Sequence, residues 1–190
     1  AEAHYNSGNA LKELGRLDEA KASYNQAIAL KPDYAEAHSN LGVTLQELGR
    51  IEEAEASHNQ AIALKPDYAE AHSNLGFTLQ KLGRLDKAEA SYNQAIALKP
   101  NYAEAHFNLG NMFQELGKLE KAQISYNQAI VLKPVYAEAY NNLGISLKGL
   151  GRVDKALASY KQAIALKPDF AEAHYNSGNA LKELGRLDEA

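Results

Sequence analysis

Proline stands at positions 32, 66, 100, 134 and 168, a step of 34 residues held through the whole chain. The words around it return too: Tyr24-Asn25-Gln26-Ala27-Ile28 before the first proline, Ala35-Glu36-Ala37-His38 after it. A fixed period of this size limits the chain to an array of supersecondary units, each packing only on its neighbours. Such a stack offers a long periodic surface in place of one enclosed pocket.

One repeat, residues 1–34, reads as a helical hairpin. Ala3, Ser7, Ala10, Leu11 and Leu14 recur at three- and four-residue steps, one face of a first helix. Gly15 supplies a left-handed stop, Arg16 and Leu17 the turn, and Asp18 an N-cap for the second helix. Ala20, Tyr24, Ala27, Ile28 and Leu30 mark the buried face of that helix, and Pro32 prevents its continuation. Asp33-Tyr34-Ala35-Glu36 then has the pattern of a capping box with an acidic cap. Twelve of the 13 glycines fall at repeat positions 8 or 15, the former expected to let two helix backbones approach closely. Gly149 departs from the rule and Val135 replaces the Asp or Asn cap, so the fifth repeat is expected to be the soft point of the array.

These residues resemble the tetratricopeptide repeat, whose unit is 34 residues. Gly8, Leu11, Ala20, Tyr24, Ala27, Pro32 and their periodic counterparts carry the resemblance. It extends over residues 1–190 as one array: repeats 1–34, 35–68, 69–102, 103–136 and 137–170, and a partial sixth at 171–190. The fold class expected is all-α, an α-solenoid of antiparallel hairpins. The resemblance implies a right-handed superhelix with the first helices on its concave wall. The departure is at repeat position 4, where the family often has Trp and this chain has His4, His38, His72, His106, Tyr140 and His174.

Asn6, Asn40, Asn74, Asn108, Asn142 and Asn176 fill repeat position 6 in all six repeats. Asparagine is disfavoured inside a helix by several tenths of a kcal/mol, so six in register suggest a compensating interaction. In the setting Ala37-His38-Ser39-Asn40-Leu41-Gly42, the column is similar to the asparagine ladder of O-linked N-acetylglucosamine transferase-type arrays. That resemblance implies a scaffold holding an extended polypeptide by its backbone, or the substrate-selecting region of a larger glycosyltransferase-type enzyme. A side-chain amide has one acceptor and two donors, enough to engage a peptide C=O and N–H together. First helices roughly 10 Å apart would meet a strand rising about 3.3 Å per residue at about every third residue. Alternatively, these amides bond to one another or to adjacent helices and set register alone.

Varying columns should carry specificity. Repeat positions 5 (Tyr5, Ser39, Ser73, Phe107, Asn141, Tyr175) and 9 (Asn9, Val43, Phe77, Asn111, Ile145, Asn179) are expected to flank the ladder. Phe77 and Phe107 would together give an apolar anchor beside it, or else bury their rings in the core. Position 2 is Glu throughout, read as a helix-dipole complement or as an acidic rail. With Glu at position 2 and Asn at position 6, the Lys and Arg of the family's chaperone-tail carboxylate clamp are missing.

Other classes find little support. A net charge of -4 without a basic stripe argues against nucleic acid, and no apolar run reaches membrane-span length. There is no cysteine, and histidines a whole repeat apart do not converge on a metal as two at i, i+4 on a single helix do. Polar residues recur where a catalytic site would be used once, and no cofactor motif is present, so neither enzyme nor cofactor is expected. A soluble protein is expected, its compartment unknown. Residues 1–20 and 171–190 are identical, whereas the first twenty residues of repeats one and two agree at 13 positions, so a 170-residue period restarts at Ala171. Beginning without Met, the chain reads as a fragment or a processed product. Its end early in a second helix suggests either a parent array that duplicates a five-repeat block or a segment built from a continuous superhelix. Leu181, Leu184 and Leu187 would lack a partner there, which suggests head-to-tail self-association as a second function.

Overall fold

The computed structural model describes residues 1–186, and among them eleven helices and no strand. They fall in two compact units, Ala1–Pro100 and Asn101–Ala190. The first holds α1 (Glu2–Glu13), α2 (Leu17–Leu30), α3 (Ala35–Glu47), α4 (Ile51–Leu64), α5 (Ala69–Lys81) and α6 (Leu85–Leu98). The second holds α7 (Ala103–Glu115), α8 (Leu119–Leu132), α9 (Ala137–Gly149), α10 (Val153–Leu166) and α11 (Ala171–Glu183). In each unit the helices pair as hairpins, α1/α2, α3/α4 and α5/α6 in the first, α7/α8 and α9/α10 in the second. Each second helix also packs on the next first helix of its unit, and successive first helices touch. The chain is an all-α solenoid of hairpins.

The hairpin turn is built as its sequence indicates. Gly15 has φ +71°. Its N–H bonds to Lys12 O and that of Arg16 to Leu11 O, both at 2.9 Å, which closes α1 with the paired bonds of a Schellman motif. The helix starts differ from expectation. The cap residues of α2 and α3 are Arg16 and Tyr34, with no side-chain cap bond. Asp18 is already inside α2, where its charge complements the helix dipole. Asp33 lies in the Pro32 turn, and its main-chain carbonyl, not its carboxylate, takes the Ala35 N–H at 3.0 Å.

The core is narrow and made of small residues. Ala20, Tyr24 and Ala27 of α2 are fully buried, as are their counterparts Ala88, Tyr92, Ala95, Ala122, Tyr126 and Ala129. Position 8 does not bring two backbones together. A Cβ added at Gly8 would lie 2.6 Å from Tyr24 Cε1, so the glycine leaves room for the aromatic ring of the second helix. Leu30, expected in the core, is exposed. Gly149 is the last residue of α9 and not an interior one, and Val135 replaces an Asp or Asn that makes no cap bond elsewhere. The two reasons for a soft fifth repeat therefore fall away. Leu187 lies outside the described residues; Leu181 is buried, and Leu184 is partly so.

Candidate functional site

The first helices present the asparagine column, and its geometry starts from the aromatic ring in the second helix. Tyr24 is buried against Gly8 with only its hydroxyl reaching out of the apolar layer. Burial pushes its phenol up to about 12, with Tyr5 adding to the effect, so the group remains a hydrogen-bond donor. It donates to Asn9 Oδ1 at 2.7 Å, and Asn40 Nδ2 of the next repeat donates to the same oxygen at 2.9 Å. Asn40 Nδ2 also donates to Tyr5 Oη at 3.1 Å. One asparagine of the column is thereby tied to positions 5 and 9 of the repeat before it.

The arrangement recurs in the second unit. Tyr126 donates to Asn111 Oδ1 at 2.9 Å, and Asn142 Nδ2 donates to that oxygen at 2.9 Å. Where position 9 is apolar, the donor turns to position 5. Asn176 Nδ2 reaches Asn141 Oδ1 at 3.0 Å, and Asn74 Nδ2 reaches Ser39 Oγ at 3.5 Å. In these four rungs the amide nitrogen points back into the preceding repeat. Asn40 has both of its N–H groups engaged in this way, so it cannot hold a peptide C=O and N–H together. Its carbonyl oxygen is the end it offers outward. Asn6 is exposed and Asn108 partly exposed.

Positions 5 and 9 separate. Ser39 and Asn141 at position 5 are buried, interior to the contact with the following repeat of their own unit, whereas Tyr175 is exposed. Phe107 at position 5 packs its ring on Tyr126 and Tyr136, with centroids 5.9 and 4.8 Å apart. Tyr5 does the same with Tyr24 and Tyr34. Position 9 is the accessible column: Phe77 is 38% exposed, with Lys81 Nζ 5.2 Å from its ring centre.

The glutamines at position 12 of the second and fourth repeats escape the sequence reading. Gln46 Nε2 donates to the Asn74 main-chain oxygen at 3.1 Å and to Thr78 Oγ1, while Ser146 Oγ donates to Gln114 Oε1 at 3.0 Å. A signal exists: Gln46 and Gln114 are each followed 32 residues later by a hydroxyl, Thr78 and Ser146. The glutamates of position 2 have partners of their own. Lys65 meets Glu36 at 3.1 Å, Lys99 meets Glu70 at 2.6 Å, and Lys133 meets Glu104 at 3.2 Å. Each pair ties the start of a first helix to the end of its own second helix. The histidines of position 4 bond back to the proline turn, His38 Nε2 to Pro32 O at 3.1 Å and His72 Nε2 to Pro66 O at 2.9 Å. Among the described residues no group of three His, Asp or Glu could hold a metal ion, and no helix is long and apolar enough to cross a membrane.

The sequence matches the model of the TPR repeat over residues 8–49, 45–83, 78–117, 110–151 and 147–185. No curated protein sequence matches it. Among solved structures, TTC0263, a thermophilic TPR protein in Thermus thermophilus, is 26% identical with a TM-score of 0.78, covering 95% of this chain and 98% of its own. MamA is 28% identical with a TM-score of 0.73, covering 87% of this chain and 96% of its own. YrrB, described as a TPR protein with an unusual peptide-binding site, is 26% identical with a TM-score of 0.69, covering 90% and 89%. The family model spans nearly the whole sequence, and the chain belongs to the tetratricopeptide (TPR) repeat family.

Proposed function

We propose that this chain is a non-catalytic scaffold that binds an extended protein segment along its first helices. Asn6, Asn40, Asn74, Asn108, Asn142 and Asn176 are the rungs, and their carbonyl oxygens accept main-chain N–H groups of the segment. The observation that carries this reading is the fixed amide orientation. Asn40 and Asn142 each donate at 2.9 Å into the repeat before, which turns the amide nitrogen away from the segment. The Asn142 oxygen also takes a bond from Asn141 Nδ2 at 3.3 Å and has its second lone pair for a ligand. A rail of acceptors reads backbone and not side chains, so it suits many sequences held in one conformation. The peptide-binding site ascribed to YrrB supports the class of ligand. The likeness to the ladder of glycosyltransferase-type arrays rests on the column itself.

The test is selection from a displayed library of random 12-residue peptides, followed by NMR titration of a retained peptide against labelled chain. The side-chain amide signals of Asn40, Asn74, Asn108 and Asn142 are expected to shift together. Retention of no peptide, or shifts confined to the second helices, would contradict the reading. A second reading, association of copies, draws on the exposed Leu14 and Leu30 of the first hairpin. It predicts a mass that rises with concentration in light scattering, and a constant monomer mass would rule it out.

A further inference from the structure

Phe77 stands three residues after Asn74 on α5, and Val43 three residues after Asn40 on α3. Residues three apart share a helix face, so each rung has an apolar neighbour on its own helix. Between them lies an open cleft of about 390 Å³ lined by Val43, Gln46, Glu47, Ile51, Phe77 and Lys81. Its apolar walls are Val43 and Ile51, both half-buried, and the exposed ring of Phe77. The polar groups along it are mostly engaged. Gln46 Nε2 donates to Asn74 O and Thr78 Oγ1, and the Lys81 ammonium sits over the Phe77 ring.

Glu47 is the exception. It is exposed and is the last residue of α3, whose final turn carries no basic residue. Its carboxylate adds to the negative end of the helix dipole, so a cation there is favoured by both. The neighbouring helix α5 ends instead in Lys81. One end of the cleft therefore attracts positive charge and the other repels it.

We infer that the Val43–Phe77 cleft is a specificity pocket for the bound segment, taking one aliphatic or aromatic side chain with a Lys or Arg of the same segment against Glu47. This rests on the peptide reading above and adds a side-chain preference that a backbone rail does not supply. The cleft excludes an acidic residue beside the anchor on the Glu47 side and orients the segment, because reversing the chain would carry its cation toward Lys81.

The retained peptides of the 12-residue library test it. They are expected to be enriched in Leu, Ile, Phe or Met with Lys or Arg within three positions. Replacing the anchor of a retained peptide by Ser should weaken binding to the parent chain by about tenfold or more, the loss expected for one buried apolar side chain. The same replacement should change binding to the Phe77→Ser variant by less than about twofold, because that variant has already lost the contact. Selection on Glu47→Lys should exchange the basic preference for Asp or Glu. Phe77 and Glu47 are exposed, so both variants should keep the parent far-UV spectrum. Peptides retained without an apolar anchor, or an anchor effect undiminished in Phe77→Ser, overturn the pocket while leaving the backbone rail intact. If no peptide is retained at all, both readings fall.

Discussion

The imidazole of His58 lies against the bare backbone of Gly42, so close that an added Cβ would come within 2.4 Å of His58 Cε1. It fills the place that Tyr24 holds against Gly8 in the first repeat. Like the phenol it is wholly buried, but unlike the phenol it has no hydrogen-bond partner at either ring nitrogen. The second repeat has also exchanged the asparagine of position 9 for Val43, so both members of the Tyr–Asn pair are replaced together.

This makes the second repeat sensitive to acid. Burial lowers the His58 imidazole from 6.5 to about 4. The unfolded chain thus binds a proton near pH 6.5 that the folded chain refuses until about pH 4, and stability falls as pH drops through that window. The full loss is roughly 3 kcal/mol, taking 1.36 kcal/mol per pKa unit. Thermal melts from pH 7.5 to 4.5 should show it, and His58→Tyr should remove this component. A parent and variant with parallel pH profiles would contradict the assignment.

Glycine at position 8 makes room for a ring, and glycine at position 15 supplies a backbone shape. A Cβ on Gly76 would lie 2.8 Å from Tyr92 Cδ1, so Gly76→Ala should cost about 1–3 kcal/mol by overpacking. Gly83 has φ +71° and open space around it, so Gly83→Ala should cost about 1–2 kcal/mol by strain alone. Urea titrations separate the causes: adding Tyr92→Leu should relieve the first cost and leave the second unchanged. Additive behaviour of Gly76→Ala with Tyr92→Leu would show that the ring is not what the glycine accommodates.

The Tyr126–Asn111–Asn142 chain predicts an order of effects. Tyr126→Phe removes one donor and leaves Asn111 Oδ1 with Asn142, a loss of about 0.5–1.5 kcal/mol. Asn111→Ala removes the acceptor shared by two donors, and the Tyr126 hydroxyl is then left to donate to Gln114 at 3.2 Å. Asn111→Ala should therefore be the costlier in urea titration. An equal or smaller cost would mean that the shared oxygen does not organise the contact.

The paired glutamates should matter little. Lys99–Glu70 is 2.6 Å long, but both side chains remain two-fifths exposed or more. Glu70→Gln should lower stability by less than about 1 kcal/mol, and high salt should shrink the difference. A loss above that, unaffected by salt, would assign the column a buried role.

The repeat length, the hairpins, the left-handed Gly15 and the stop at Pro32 were all legible in the sequence, because each is a local rule that one short segment obeys. The caps were not, because the Pro32 turn sets where α3 begins and displaces Asp33 from the position its side chain needs. Position 5 was misjudged for a different reason. Ser39 looks like a surface residue, and only the approach of the neighbouring repeat buries it. The rung asparagines were visible as a column, but the direction of the amide depends on a partner in another repeat, Asn9 for Asn40, Asn111 for Asn142, Ser39 for Asn74 and Asn141 for Asn176, which one helix's periodicity does not encode.

Affinity of the chain changed to alanine at Asn40, Asn74, Asn108 and Asn142 together, for a library-retained peptide, tests the central claim most directly. Each rung contributes about 0.5–1.5 kcal/mol, so a single change weakens binding modestly and four should reduce it by about 30-fold or more. Far-UV circular dichroism should show the helices intact in the variant. Affinity equal to the parent's, with the helices in place, would mean that the asparagines set the register of the repeats and bind no ligand.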